Sequence, residues 1–427
     1  MDALPQLRSV FALLGPSGLH RWGRDDYDRF HSARLAALVR HAFARVPFYR
    51  ALFTRHKLDP SRVRSLHDLP RLPLLRRSDV QTEPPESLVA SGLDPRRLVQ
   101  WRTSGSTGEP FTTRRTSFED RLLTALRLRQ QRLLGLRWSD LRARVSLGPP
   151  AQPRFRLPFT PFRAEFVNIF EPARHILDRL AQIQPDILNL YPSTLDWIAA
   201  EATPEDRLRI RPRLIFTGAD SLSPEMRVRI STCFHAPIRD FYGAHEFNLL
   251  AVECPQTGLY HLEEAGVFAE ILRDGEPCRE GETGELYATA LHSFAMPFLR
   301  YSTGDLVTPG PPRCPCGAPV RTLARIDGRV VDRFALPAGG FVHPYQISLP
   351  IRQTPWVRRF RMIQQPSLDL HIDLVPMPGV QPPEPELLRL RNAIAATAPP
   401  SLSFQLHLLP ELPLTPGGKF KQFTASS

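Results

Sequence analysis

Lysine is nearly absent from this chain. Only Lys57, Lys419 and Lys421 occur among 55 basic residues, and all the others are arginine. The formal net charge of +12 invites an anionic partner. Yet no basic block is interleaved with aromatics, so the footprint of a nucleic-acid surface is missing and no nucleic-acid partner is expected. Polyanionic small molecules fit the charge equally well. Long apolar runs are missing too, and none approaches the roughly 18 residues that cross a bilayer. The first stretch carries Arg8 within a short apolar segment and lacks the cationic start of a leader. No membrane association is expected, and the expected location is cytoplasmic. Cysteine is scarce: five in 427 residues exclude a disulfide framework.

What is present is a chain too long for one core, since single cores stop growing at roughly 250–300 residues. Its 45 prolines are spread throughout and punctuate loops. Apolar residues recur at helical spacing over 31–46, 118–136 and 173–183, and Ser193 is read as the cap of a further helix to 200. Residues 98–102, 187–190 and 214–216 read as strands, and Ser223-Pro224 opens a helix to 233. This alternation predicts a mixed α/β fold with parallel strands. After Tyr242 the texture changes to short strands and turns over 267–272, 284–288 and 298–301. A boundary is expected near 328–334. It divides a large N-terminal domain, 1–328, from a small C-terminal α+β domain, 329–427, with one helix over 383–396.

Five segments have the residue types that chemistry needs. Thr103-Ser104-Gly105-Ser106-Thr107-Gly108-Glu109-Pro110 follows a strand, and its hydroxyls and backbone N–H groups can wrap phosphate oxygens. It is not a Walker loop, because no Gly-Lys-Ser/Thr follows. In Asp240-Phe241-Tyr242-Gly243-Ala244-His245-Glu246, an aromatic beside a glycine lets a flat base lie on the backbone. The Glu246 carboxylate there can hold a hard cation. In Arg300-Tyr301-Ser302-Thr303-Gly304-Asp305, an aspartate after a glycine turn can accept from two vicinal hydroxyls. Asp327-Gly328-Arg329 lies at the expected boundary. Pro416-Gly417-Gly418-Lys419 ends the series. In a chain that uses arginine almost everywhere, Lys419 in a glycine turn points to a compact point charge that a planar guanidinium would not replace.

Order and spacing say more than any one segment. Together with Gly281–Leu286 (GETGEL), these motifs resemble the successive core motifs of the acyl-adenylate-forming superfamily. "VPFYRALF…SLHDLPRLPLL" and "PDILNLYPSTL" resemble its phenylacetate–coenzyme A ligase-like branch, from about Leu35 to Lys419. The resemblance implies ATP-dependent activation of a carboxylic acid as acyl-AMP, then transfer to coenzyme A. It implies that Thr103, Ser104, Gly105, Ser106, Thr107 and Gly108 hold the phosphates, with Thr107 counted as catalytic. Gly218, Ala219, Asp220, Asp240, Tyr242 and Gly243 would line the adenine. Glu246 would bind Mg²⁺, Asp305 with Arg329 would hold the ribose, and Lys419 would reach the carboxylate and α-phosphate. Glu109 stands where phenylacetate ligases tend to have lysine, and Val331 occupies the usual acidic hinge position, with Asp332 next to it.

Cys314-Pro-Cys316 together with Cys254 and His261 has the composition of a Cys₃His zinc site stapling a β region over 250–320. The acid pocket is expected from 166–170, 191–194, 216–220 and 244–248, where Phe170, Tyr191, Phe216 and Phe247 suggest an aromatic or compact acid. Two alternatives stay open. One is an adenylate-forming enzyme that passes its product to a carrier protein or another nucleophile, and the other is a catalytically silent nucleotide-binding paralogue. A homodimer is compatible with the sequence.

Overall fold

A computed structural model describes residues 22–102, 111–146, 163–169, 171–220, 222–329, 334–337, 341–342, 344–412 and 422–424. The first helix, Arg24–Arg45, starts about two turns earlier than apolar spacing indicates. Its start is polar: Asp25 and Asp26 occupy the first turn, and Asp26 Oδ2 accepts the Gly23 N–H at 2.9 Å. Pro47 begins a second helix, Pro47–Arg55, instead of ending the helical region. Helix Ser117–Leu133 is set by a reciprocal cap between Thr116 and Glu119. Glu119 also accepts the N–H groups of Phe294 and Ala295 at 2.7 and 2.9 Å, which joins the helix start to the β region. Helix Pro192–Glu201 is preceded by Tyr191 as N-cap, so Ser193 lies inside its first turn and is buried.

A twelve-stranded sheet runs through the large core. Five strands at one end are parallel, in the order Ala164–Asn168, Arg142–Ser146, Ile187–Asn189, Leu214–Gly218, Ile238–Tyr242. Both of their faces are covered. Ala143, Val145, Leu188, Ile215 and Ile238 pack on the helices Ala173–Ile183 and Pro224–Phe234. Ile187, Leu214, Phe216 and Phe241 face the opposite way, into a second cluster. From Tyr242 onward the sheet continues antiparallel through Ala251–Glu253, Tyr260–Leu262, Thr322–Arg329, Tyr301–Pro309, Gly284–Ala290 and Val267–Arg273. The expected strand at 298–301 begins only at Tyr301, because Arg300 adopts φ +46° and breaks extended geometry.

Beyond residue 334 a separate hydrophobic core forms around Phe334, Met362, Ile372, Leu390 and Ile394. It belongs to a four-stranded sheet in the order Phe404–Leu408, Leu370–Pro376, Val357–Gln364, Phe423–Thr424, with helices Pro344–Arg352 and Glu384–Thr397. Arg358 Nη1 meets Glu201 Oε1 at 2.6 Å, linking this sheet to the helix after Ile187–Asn189. No helix among the described residues is long and apolar enough to cross a membrane.

Candidate active site

The junction of the parallel and antiparallel halves gathers most of the segments singled out in the sequence. Tyr242 ends the last parallel strand. Its hydroxyl donates to Asp305 Oδ2 at 2.5 Å and lies 3.5 Å from Thr303 Oγ1. Two motifs separated by about sixty residues thus share one hydrogen bond. Asp305 itself follows a tight turn, where Gly304 has φ +73° and Thr303 Oγ1 accepts the Asp305 N–H at 3.2 Å. Across the ladder Asp305 pairs with Arg329, the last residue of its strand. The neighbouring Asp327 accepts from Thr308 Oγ1 at 2.6 Å.

Glu246 is 8% exposed, on the turn after Tyr242. Its charge acts on two buried neighbours. Arg115 gains a countercharge from it, and the Tyr301 hydroxyl is pushed up, first by burial and then by the Glu246 carboxylate. Arg115 Nη2 also donates to the His245 carbonyl, as does Thr113 Oγ1 at 3.4 Å. Both donors belong to Thr112–Arg115, which pairs antiparallel with Val99–Arg102. Residues 103–110 connect these two strands, and Thr103, Ser104, Gly105, Ser106, Thr107 and Gly108 lie outside the described residues. The base of their hairpin is nevertheless bonded to the Tyr242–Glu246 turn.

The Gly218-Ala219-Asp220 segment leaves the adjacent parallel strand. A β-carbon at Gly218 would fall 2.4 Å from the Phe241 carbonyl oxygen, and Ala219 adopts φ +64°. Gly243 is equally constrained, since a β-carbon there would fall 2.3 Å from the Asn248 carbonyl oxygen. Gly243→Ala is therefore expected to cost about 1–3 kcal/mol through forced displacement of backbone. A thermal melt of the variant checks this, and an unchanged midpoint would mean that the turn has room to spare.

Asp240 is bonded within the sheet. Its carboxylate accepts from Thr217 Oγ1 at 2.6 Å and Tyr260 Oη at 2.7 Å, and it is 5% exposed. Burial raises its pKa and these two hydroxyls oppose the rise. Asp240 thus ties its strand to the neighbouring Leu214–Gly218 and, across Ala251–Glu253, to Tyr260–Leu262. Two of the expected pocket aromatics are also core. Phe216 is fully buried against Phe241 at 5.2 Å between ring centroids, and Phe247 packs on Phe298 at 6.0 Å. Phe170 and Lys419 lie outside the described residues. The chain just after Lys419 is placed, because Gln422 accepts the Met362 N–H at 2.8 Å and Phe423–Thr424 pairs with Met362 and Ile363.

Arg115, Thr113 and Tyr260 escaped the sequence reading, and Thr217 was marked only as part of the 216–220 segment. Nothing in their spacing marks them, as each acts on a residue far along the chain. Tyr301 and Thr303 sit inside a motif already picked out, and their aromatic and hydroxyl character was the available hint.

A second cluster lies farther along the same sheet. The ligand atoms of Cys254, His261, Cys314 and Cys316 all fall within 4.8 Å of one another. Cys314 Sγ and Cys254 Sγ are 3.9 Å apart, and Cys316 Sγ and His261 Nε2 are 3.5 Å apart. A tetrahedral zinc with Zn–S of about 2.3 Å and Zn–N of about 2.0–2.1 Å has ligand–ligand edges of about 3.5–3.8 Å. The donor set therefore fits that ion in number, chemistry and spacing.

No family model matches the chain. It is 26% identical over 354 residues to the phenylacetate-coenzyme A ligase of Thermus thermophilus, covering 78% of this chain and 77% of that one. To the protein of the same name from Pseudomonas putida it is 27% identical over 365 residues, 80% of each chain. Among solved structures, 2-hydroxyisobutyryl-CoA ligase in the postadenylation state, in complex with R3-HIB-AMP, has a TM-score of 0.75 at 18% identity, covering 93% of this chain and 89% of that chain. An anthranilate CoA ligase in complex with anthranoyl-AMP has a TM-score of 0.56 at 16% identity, covering 94% of this chain and 80% of that one. By sequence the chain is similar to phenylacetate-coenzyme A ligases, and its fold is that of the solved CoA ligases it matches.

Proposed function

We propose that this protein joins a carboxylic acid to AMP at the expense of ATP and then transfers the acyl group to coenzyme A. In the first half-reaction a carboxylate oxygen attacks the α-phosphorus, the bond to the bridging oxygen breaks, and pyrophosphate leaves with the electron pair. In the second, the thiolate of coenzyme A attacks the acyl carbon and AMP leaves. The observation that supports this reading best is the meeting of Tyr242 with Asp305 at 2.5 Å, next to the turn that presents Glu246 and is bonded to the hairpin flanking residues 103–110. A nucleotide laid across this junction meets a hydroxyl-rich loop, an aromatic, and a carboxylate suited to a ribose.

In this reading Thr103, Ser104, Gly105, Ser106, Thr107 and Gly108 cradle the phosphates. Gly218, Ala219, Asp220 and Gly243 give the base a backbone surface, Tyr242 stacks on it, and Asp240 aligns the strands beneath. Asp305 and Arg329 take the ribose. The Glu246 carboxylate fits Mg²⁺, which commonly uses one or two protein carboxylates together with substrate phosphates. Bound there, the ion would offset the negative charge between acid and nucleotide. Lys419 is assigned to a small C-terminal domain, 329–427, and supplies an ammonium to the α-phosphate. The test is ATP–pyrophosphate exchange with a panel of acids, followed by acceptor assays comparing coenzyme A with acyl-carrier proteins. Exchange with an acid but no thioester on coenzyme A would leave the adenylating step and remove the acceptor assignment.

We assign zinc to Cys254, His261, Cys314 and Cys316. The ion would tie the turn after Ala251–Glu253 to the loop before Thr322–Arg329. Cys314→Ser is expected to lose about one zinc per chain and to lower the melting midpoint by roughly 5 °C, the scale of a ligand worth about 4 kcal/mol in a chain of this length. Metal analysis of purified protein that finds no zinc, with all four groups open to labelling, would remove the assignment.

A further inference from the structure

Strand pairing sets Arg144 opposite Phe166 on one side and Asn189 on the other, on the same face of the parallel sheet. Arg144 is two residues from the carboxyl end of its strand, the end at which ligands of such sheets bind. Its guanidinium lies 5.6 Å over the Phe166 ring and senses the Tyr191 hydroxyl. Arg127 approaches from helix Ser117–Leu133, 5.8 Å over the Phe241 ring, and its Nη1 donates to Asn248 Oδ1 at a long 3.4 Å. Phe166, Tyr191 and Asn248 come from three of the four segments expected to line the acid pocket. Asn248 in turn abuts Gly243.

The pair is electrostatically unfinished. Both guanidiniums are only partly exposed. Arg127 is pulled down to about 10, first by burial and then by the positive charge of Arg144. Among the described residues neither forms an ion pair, and the sequence that follows Arg144, residues 147–162, contains no aspartate or glutamate. Half-buried like charges without a counterion are costly, and a carboxylate bridging them would relieve that cost through charge-assisted hydrogen bonds.

We infer that Arg127 and Arg144 receive a second anionic group on the acid, so that the substrate is a dicarboxylate whose far carboxylate lies between them. The inference rests on the acid-activating reading above. It turns the expected aromatic preference into a preference for charge, in keeping with the core positions of Phe216 and Phe247. Arg127 and Arg144 are specificity residues here and take no part in the transfer itself.

The experiment uses the full chain in ATP–pyrophosphate exchange with matched pairs of acids, adipate against hexanoate and terephthalate against benzoate. The dicarboxylate of at least one pair should have a kcat/KM about tenfold or more above its monocarboxylate, the scale of one hydrogen bond to a charged group. Arg127→Gln and Arg144→Gln should each erase that preference by raising KM for the dicarboxylate, with KM for ATP unchanged. Calorimetric binding of adipate against hexanoate to the unmodified protein gives the same comparison without relying on the folding of a variant. Monocarboxylates preferred in both pairs would overturn the inference while leaving acid activation in place. So would variants that change KM for ATP or coenzyme A alone, which would assign the pair to a phosphate. Exchange with no acid of any kind, despite nucleotide binding, would instead remove the acid-activating reading and this inference with it.

Discussion

Lys419→Ala is expected to lower acid-dependent pyrophosphate exchange by about a hundredfold or more, the scale for deleting one preorganised electrostatic group. The reason is the charge of the reactants. A carboxylate must approach a phosphorus surrounded by anionic oxygens, and the nucleophile is the substrate itself, so the barrier is largely repulsion. An ammonium between the two groups lowers the barrier where charge accumulates. The loss should fall on kcat with nucleotide affinity kept, because a contact made chiefly in the transition state adds little to ground-state binding. Lys419→Arg should fail to restore the rate, since a planar fork does not reproduce a point charge. Lys421 and Lys57 provide the control: replacing either should leave exchange unchanged. An exchange rate in Lys419→Ala equal to that of the unmodified chain would withdraw the role.

Glu246→Gln should reduce exchange by a similar factor, about a hundredfold, and the residual activity should require much more Mg²⁺. Glutamine keeps the shape of the side chain and removes the charge that a hard cation needs. Folding should be little affected. Arg115 keeps its bond to the His245 carbonyl and lies 3.9 Å from Asp120, so one lost countercharge does not leave it stranded. A melting midpoint near that of the unmodified chain, with a Mg²⁺ titration displaced to higher concentration, is the expected pair of results. A Mg²⁺ titration that does not move would place the ion elsewhere.

Local patterns were legible where one residue's neighbours in sequence are also its neighbours in space. Helix Ala173–Ile183 shows its apolar stripe at 3.6 spacing, and Ser223 accepts the Met226 N–H at 3.2 Å as its position before Pro224 implies. Helix Arg24–Arg45 extends beyond its aliphatic stripe because its first turn is acidic and the buried positions that continue the stripe are Tyr27 and His31, polar-tipped residues that weaken the apolar signal. The Cys₃His group was legible for a third reason: thiols are rare in this chain, four of the five fall in one β region, and the closely spaced Cys314 and Cys316 with Cys254 and His261 make a four-ligand set.

The sequence alone determined the order of the chemical parts: a hydroxyl loop, an aromatic–glycine turn with its glutamate, an aspartate after a glycine turn, and a late lysine in an arginine-rich chain. Those are properties of residue type and spacing, and they need no coordinates. Only the tertiary structure decided that Tyr242 bonds Asp305, that the Asp240 carboxylate accepts from Thr217 and Tyr260, and that Arg127 and Arg144 are half-buried over the rings of Phe241 and Phe166. The physical reason is the same in each case. A side chain's partner is set by strand order and register across tens to hundreds of residues, and hydrophobic periodicity records which face is buried but not what lies opposite.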